Sequence, residues 1–69
     1  MFDEKRFSAQ IVMAGVTIKD LADYLGVSPV TVYRKIKADG NFTRDEINKM
    51  IVFLKIDEPE QIFFATQLT

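Results

Sequence analysis

The sequence predicts an all-α fold, a compact bundle of about five short helices. Three consecutive segments begin with residues that favour helix N-termini, and apolar residues recur at helical spacing after each of them. The chain has 69 residues, of which 48% are hydrophobic, so it has the size of one small domain with a single core. We therefore expect residues 1–69 to form a single domain.

Two of the predicted helices begin at threonine residues, Thr17 and Thr43. In the segments TIKD and TRDE, the threonine hydroxyl can accept a hydrogen bond from the amide three residues later. The carboxylates of Asp20 and Glu46 can in turn accept one from the threonine's own amide. This reciprocal capping box predicts a helix after each threonine.

Further signals mark the remaining helices. Ser28 is a favourable N-cap followed by Pro29 at the first helical position, and a weaker helix start lies at Pro59. An apolar stripe near the N-terminus predicts a first helix that Gly15 ends in a left-handed conformation. The tail at residues 61–64 is compatible with either a helix or a strand.

Composition narrows the classes of function. The chain contains no cysteine and no histidine, which removes disulfides, thiolate metal sites and the usual general base. No nucleophile–base pair or phosphate-binding loop is present, so we predict no enzymatic activity, no metal, no cofactor and no small-molecule substrate. The apolar runs are far shorter than the ~20 residues that cross a bilayer. We expect a cytoplasmic protein without membrane contact.

The most specific segment is residues 17–40, TIKDLADYLGVSPVTVYRKIKADG. It reads as two short helices joined by a tight turn. Ala22 is small enough for the two helices to approach closely, Gly26 suits the positive φ of the turn, and Val32 can anchor the second helix in the core. This spacing is typical of a helix-turn-helix, here over residues 17–37.

The stretch LADYLGVSPVTVYRKIKADG resembles the helix-turn-helix of the lambda-repressor-like family, of the Cro and repressor type. The flanking helices extend the likeness from about residue 5 to about residue 64. The resemblance implies a compact helical domain, often homodimeric, that binds operator DNA to regulate transcription; many members of this length belong to phages. One departure is Ile18, which stands where the family often has a glutamine that binds a DNA phosphate.

The second helix of the motif, residues 28–37, is predicted to face the core with Val32 and Ile36, leaving the opposite side for the major groove. Candidates for base readout are Pro29, Val30 and Arg34. Arg34 suits a bidentate contact to guanine and Val30 a thymine methyl, although an isolated exposed valine needs no such role. Predicted contacts to the DNA backbone come from Ser28, Thr31, Tyr33, Lys35 and Lys37. The resemblance alone implies four more, from Thr17 or Lys19 in place of the family's glutamine and from Asn41 and Arg44.

The charge distribution is compatible with DNA binding but does not by itself indicate it. The net charge is −1, but basic residues cluster in the second motif helix while acidic residues cluster near the C-terminus. Several of the basic side chains are equally compatible with a purely solvated role. Apolar residues in the last third of the chain are expected to fill the core and in part to form a homodimer contact; the candidates are Phe53, Ile62, Phe63, Phe64 and Leu68.

Two functions follow from these observations. The first is a sequence-specific transcriptional regulator that binds double-stranded operator DNA as a homodimer, with half-sites about one helical turn apart. The alternative is a protein-interaction module on the same scaffold, such as an anti-repressor or regulatory partner. The acidic balance, the apolar tail and Ile18 favour that alternative.

Overall fold

Five α-helices make up the part of the chain that the computed structural model describes, residues 1–64. They are α1 (Glu4–Ala14), α2 (Ile18–Leu25), α3 (Pro29–Lys37), α4 (Arg44–Phe53) and α5 (Pro59–Phe63). The predicted all-helical bundle is thus confirmed, and the segment that suited either helix or strand ends α5. None of these helices is long and apolar enough to cross a membrane.

The helix ends follow the capping residues that the sequence contains. Thr17 Oγ1 accepts a hydrogen bond from the Asp20 amide at 3.1 Å, and Asp20 Oδ2 accepts one from the Thr17 amide at 2.9 Å. Thr43 and Glu46 form the same pair of bonds at the start of α4. Gly15 ends α1 with φ 71°, in the predicted left-handed conformation. Local sequence therefore determines where these helices begin and end.

Four phenylalanines fill one part of the core, and we refer to Phe2, Phe7, Phe42 and Phe63 as the aromatic cluster. The ring centroid of Phe7 lies 5.3 Å from that of Phe2, 6.0 Å from that of Phe42 and 6.3 Å from that of Phe63. All four rings are buried. The cluster joins the N-terminus, α1, the α3–α4 loop and α5 by apolar contact.

Phe2 reaches the aromatic cluster because the N-terminal segment is held at two points. The Asp3 amide donates to the Ile62 carbonyl at 2.7 Å, and the Phe2 amide donates to Asp39 Oδ1 at 3.3 Å. The Phe2 ring lies directly on Gly40, where any Cβ would overlap it, and Gly40 has φ 70°. The loop after α3 is therefore packed tightly under the N-terminus.

The candidates for a homodimer contact fall into different environments. Ile62 and Phe63 are only 5% and 6% exposed, because α5 turns them into the core of the single chain. The prediction that they form an interface is therefore wrong. Phe64 is 60% exposed, and Phe53 is partly buried with its ring stacked 4.4 Å from that of Tyr24. Leu68, the remaining candidate, lies outside the described residues.

Candidate nucleic-acid interface

The turn between α2 and α3 has the geometry that the sequence predicts. Gly26 adopts φ 77°, and the Val27 amide donates to the Ala22 carbonyl at 3.0 Å. Ala22 and Val32 are completely buried where α2 and α3 pack against each other. Because the helices approach closely, α3 is fixed to the bundle along one side and its other side stays open to solvent.

The exposed side of α3 carries the candidate base contacts. Val32 and Ile36 are buried, as predicted, and the residues on the other side are exposed. We call this exposed set the α3 outer face; it consists of Pro29, Val30, Tyr33, Arg34 and Lys37. Within residues 1–64, Arg34 makes neither an ion pair nor a side-chain hydrogen bond. Its guanidinium is thus available to an outside ligand.

The N-terminus of α3 is organised by two hydroxyl groups. Ser28 Oγ accepts a hydrogen bond from the Thr31 amide at 3.2 Å, and the two hydroxyl oxygens lie 3.0 Å apart. Ser28 is exposed and Thr31 is partly buried. Both predicted backbone contacts therefore lie at the N-terminal end of α3, the end at which the helix dipole favours an anion.

Lys35 has a different environment from the cations of the outer face. Its Nζ lies 2.7 and 2.8 Å from the two carboxylate oxygens of Glu46, which belongs to α4. Partial burial alone would raise the pKa of Glu46, but hydrogen bonds from Lys35 and from the Thr43 amide outweigh it and lower that pKa. Lys35, predicted to contact a phosphate, is instead engaged inside the molecule.

The other lysine candidates form exposed ion pairs. Lys37 Nζ lies 3.0 Å from Oε2 of Glu4, the first residue of α1. Lys19 Nζ lies 3.7 Å from Asp23 Oδ2. Pairs in such exposed positions contribute little, typically ~0–1 kcal/mol. Each lysine can therefore exchange its carboxylate for a phosphate at small cost.

The remaining backbone candidates lie near helix starts and loops. The exposed Thr17 caps α2, and the hydrogen bond that its backbone amide donates to the Asp20 carboxylate is the main cause that lowers the pKa of that carboxyl. Asn41 is exposed in the loop after α3, where its amide donates to the Lys35 carbonyl at 3.1 Å. Arg44 is exposed and borders a groove between α4 and α5. All three side chains are on the molecular surface.

One part of this surface was not foreseen from the sequence. A shallow cavity of about 290 Å³ separates α1 from α3, and Val12, Ile18, Tyr33 and Lys37 are among its lining residues. Ile18 is half-buried and packs against the core, which accounts for an apolar residue at this position. Val12 is exposed beside α3. The only sequence signal for this exposure was that Val12 lies outside the apolar stripe of α1.

No three His, Cys, Asp or Glu side chains of residues 1–64 converge in the arrangement that could hold a metal ion. Comparison with known proteins adds no further constraint. No protein-family model, no curated protein and no solved structure matches the chain.

Proposed function

We propose that the protein is a sequence-specific regulator of transcription that binds double-stranded DNA by laying α3 in the major groove. The observation that carries this proposal is the α3 outer face. It combines an arginine that has no ion pair or side-chain hydrogen bond within residues 1–64 with exposed apolar and hydroxyl groups, on a helix that is anchored from behind by Val32 and Ile36. A helix that projects in this way from a close-packed partner helix has the shape that the major groove admits.

Base readout in this proposal depends mainly on Arg34. Its guanidinium can donate two parallel hydrogen bonds to guanine O6 and N7, a contact worth ~1–3 kcal/mol of discrimination. Val30 and Pro29 lie one turn closer to the N-terminus of α3 and can contact thymine methyl groups. The expected half-site therefore contains a guanine next to a thymine-containing step.

Phosphate contacts position the helix without reading sequence. Lys37 and Tyr33 belong to the outer face, while Ser28 and Thr31 lie at its N-terminal end. The further candidates for this role are Thr17, Lys19, Asn41 and Arg44. With a net charge of −1 and with Lys35 engaged by Glu46, we expect a weak salt dependence for a DNA-binding protein.

We propose that a second copy of the chain binds beside the first on the operator. The support for this is an apolar groove of about 570 Å³ between α4 and α5, lined by Phe42, Ile47, Ile51, Pro59 and the exposed Phe64 among others. A two-fold contact would let the Phe64 side chain of each copy enter the groove of the other. The operator would then be an inverted repeat.

The experiment that tests this function is selection of bound duplexes from a random-sequence library at near-physiological salt. The proposal predicts enrichment of an inverted repeat with half-sites about one helical turn apart. Enrichment of a single asymmetric site would retain the DNA-binding function and remove the dimer. No enrichment by the folded protein would contradict the proposal.

The cavity between α1 and α3 favours a second candidate, a protein-interaction module. Its apolar lining by Val12, Ile18 and Tyr33 borders the same exposed helix, so a partner protein could cover the surface assigned here to DNA. Capture of a defined partner by the wild-type chain, abolished by Tyr33→Ala and Val12→Asp, together with no enriched duplex, would favour this function.

A further inference from the structure

We propose that Lys35 is a positioning residue, which holds α3 at a fixed angle on α4 so that Arg34 reaches the base edges. The inference rests on the proposed DNA-binding function and changes the role of this lysine within it. Lys35 stabilises the geometry of the readout helix without touching the phosphates.

The contact between Lys35 and Glu46 is the best enclosed ion pair in the described chain. Both carboxylate oxygens of Glu46 lie within 2.8 Å of Lys35 Nζ. The two side chains are 25% and 13% exposed, whereas Lys37 in its pair with Glu4 is 72% exposed. A charge-assisted pair in these surroundings is short and directional, and it is weakly screened by salt.

Glu46 connects two structural elements at once. Its Oε1 atom accepts hydrogen bonds from Lys35 Nζ and from the Thr43 amide, the latter at 2.8 Å. The capping carboxylate of α4 is therefore also the acceptor that holds α3. The backbone amide of Asn41, in the loop between α3 and α4, donates a hydrogen bond to the Lys35 carbonyl. The backbone at Lys35 is therefore fixed as well.

The ion pair between Lys35 and Glu46 affects Arg34 because Lys35 is the next residue on α3. The apolar anchors Val32 and Ile36 hold the helix by contacts that have little directional preference. Lys35 follows Arg34 directly in the chain, so restraining it restrains the backbone from which the guanidinium extends. Contacts to base edges require placement within about 0.5 Å, which non-specific DNA binding does not.

A phosphate contact by Lys35 would cost more free energy than one by Lys37. Lys35 would have to leave a carboxylate that is only 13% exposed, and Glu46 would lose its partner while partly buried. Lys37 leaves an exposed carboxylate that water can solvate. The two lysines of α3 should therefore respond differently to mutation.

The test compares Lys35→Met, Glu46→Gln and their combination with the matched variant Lys37→Met. For each folded protein, the affinity for the selected duplex and for an unrelated duplex is measured at several salt concentrations. We expect Lys35→Met and Glu46→Gln each to lower the specificity ratio about three- to tenfold, with an unchanged salt slope. The combination should cost no more than either change alone, and Lys35→Arg should retain the ratio.

Lys37→Met should show the opposite pattern, a salt slope reduced by about one with the specificity ratio retained. If Lys35→Met behaves like Lys37→Met, or if Glu46→Gln strengthens binding to every duplex, the positioning role is overturned. If Lys35→Met does not fold, Lys35→Gln replaces it with the same expectations. If the wild type binds no duplex, the proposed DNA-binding function fails, and the positioning role of Lys35 fails with it. Denaturant unfolding of the same four variants would still report whether residues 35 and 46 are energetically coupled.

Discussion

The aromatic cluster and the α3 outer face differ in what their side chains contact. In the cluster, Phe2, Phe7, Phe42 and Phe63 are buried against one another, and none is more than 8% exposed. On the outer face, the side chains are exposed; Lys37 forms an ion pair with Glu4, and Arg34 has no ion pair or side-chain hydrogen bond within residues 1–64. One region therefore supports the fold, and the other is free to bind something else.

One short helix, α3, both supports the fold and presents a surface that is exposed to solvent. The buried side of α3 contributes Val32 and Ile36 to the core, while its outer face is exposed to solvent. Substitutions in the aromatic cluster should thus change stability first and binding only as a consequence. Substitutions on the outer face should change binding and leave stability close to that of the wild type.

The largest expected effect is that of Phe7→Ala in the aromatic cluster. Phe7 is 1% exposed, and removing its ring leaves a cavity bordered by three other rings. We expect a loss of ~3–5 kcal/mol in the free energy of unfolding, measured by denaturant titration. Val30→Ala on the outer face is the control and should change stability by less than ~0.5 kcal/mol. Equal effects of the two would erase the distinction between the regions.

The next effect is that of Gly40→Ala, at the point where the end of α3 meets the aromatic cluster. A methyl group there would overlap the Phe2 ring in addition to straining a residue with φ 70°. We expect thermal unfolding to report a loss of ~2–4 kcal/mol. Gly15→Ala is a matched control, because Gly15 has nearly the same φ but nothing within 4 Å of the added carbon. It should cost only ~1 kcal/mol, and a larger cost than that of Gly40→Ala would refute the packing argument.

A smaller effect concerns pH, through the carboxylate of Glu46. The folded state lowers its pKa, so this carboxylate contributes stability that is complete at neutral pH and is lost as the pH falls through the folded-state pKa. We expect the free energy of unfolding to decrease progressively below about pH 5. Glu46→Gln should flatten that decrease, measured by denaturant unfolding across the acid range. A pH dependence as steep as that of the wild type would show that other groups cause it.

The smallest expected effect is that of Lys37→Ala on the outer face. Because Lys37 leaves an exposed pair with Glu4, its contact with a phosphate gains only ~0.5–1 kcal/mol, equally for all duplexes. Fluorescence anisotropy at several salt concentrations would measure it. A selective loss for the operator alone would mean that Lys37 reads bases.

Much of the fold was predictable because its signals are local. The capping boxes at Thr17 and Thr43 and the left-handed Gly26 depend on residues within one turn of each other, and the structure has them as predicted. The outward direction of Arg34 followed in the same way from helical periodicity. Helix starts, helix ends and the direction of side chains on a helix can be predicted from a few adjacent residues.

Contacts between distant residues were not predictable in this way. Phe2 precedes the first helix and belongs to no periodic stripe, so nothing indicated its packing on Gly40. Glu46 was identified as a capping residue, but its second partner, Lys35, comes from another helix. Ile62 and Phe63 have an apolar character that suits a core and an interface equally, and only the path of α5 assigns them to the core.

Two arginine variants, compared in one experiment, decide whether the α3 outer face binds DNA through Arg34. Arg34→Ala removes the unpaired guanidinium of α3, and Arg6→Ala removes an exposed one from α1 as a control for charge. In competition titrations against the selected duplex, we predict that Arg34→Ala loses ~1–3 kcal/mol of discrimination between that duplex and one with the contacted guanine replaced. Arg6→Ala should retain it. Undiminished discrimination by folded Arg34→Ala would show that Arg34 does not read the bases.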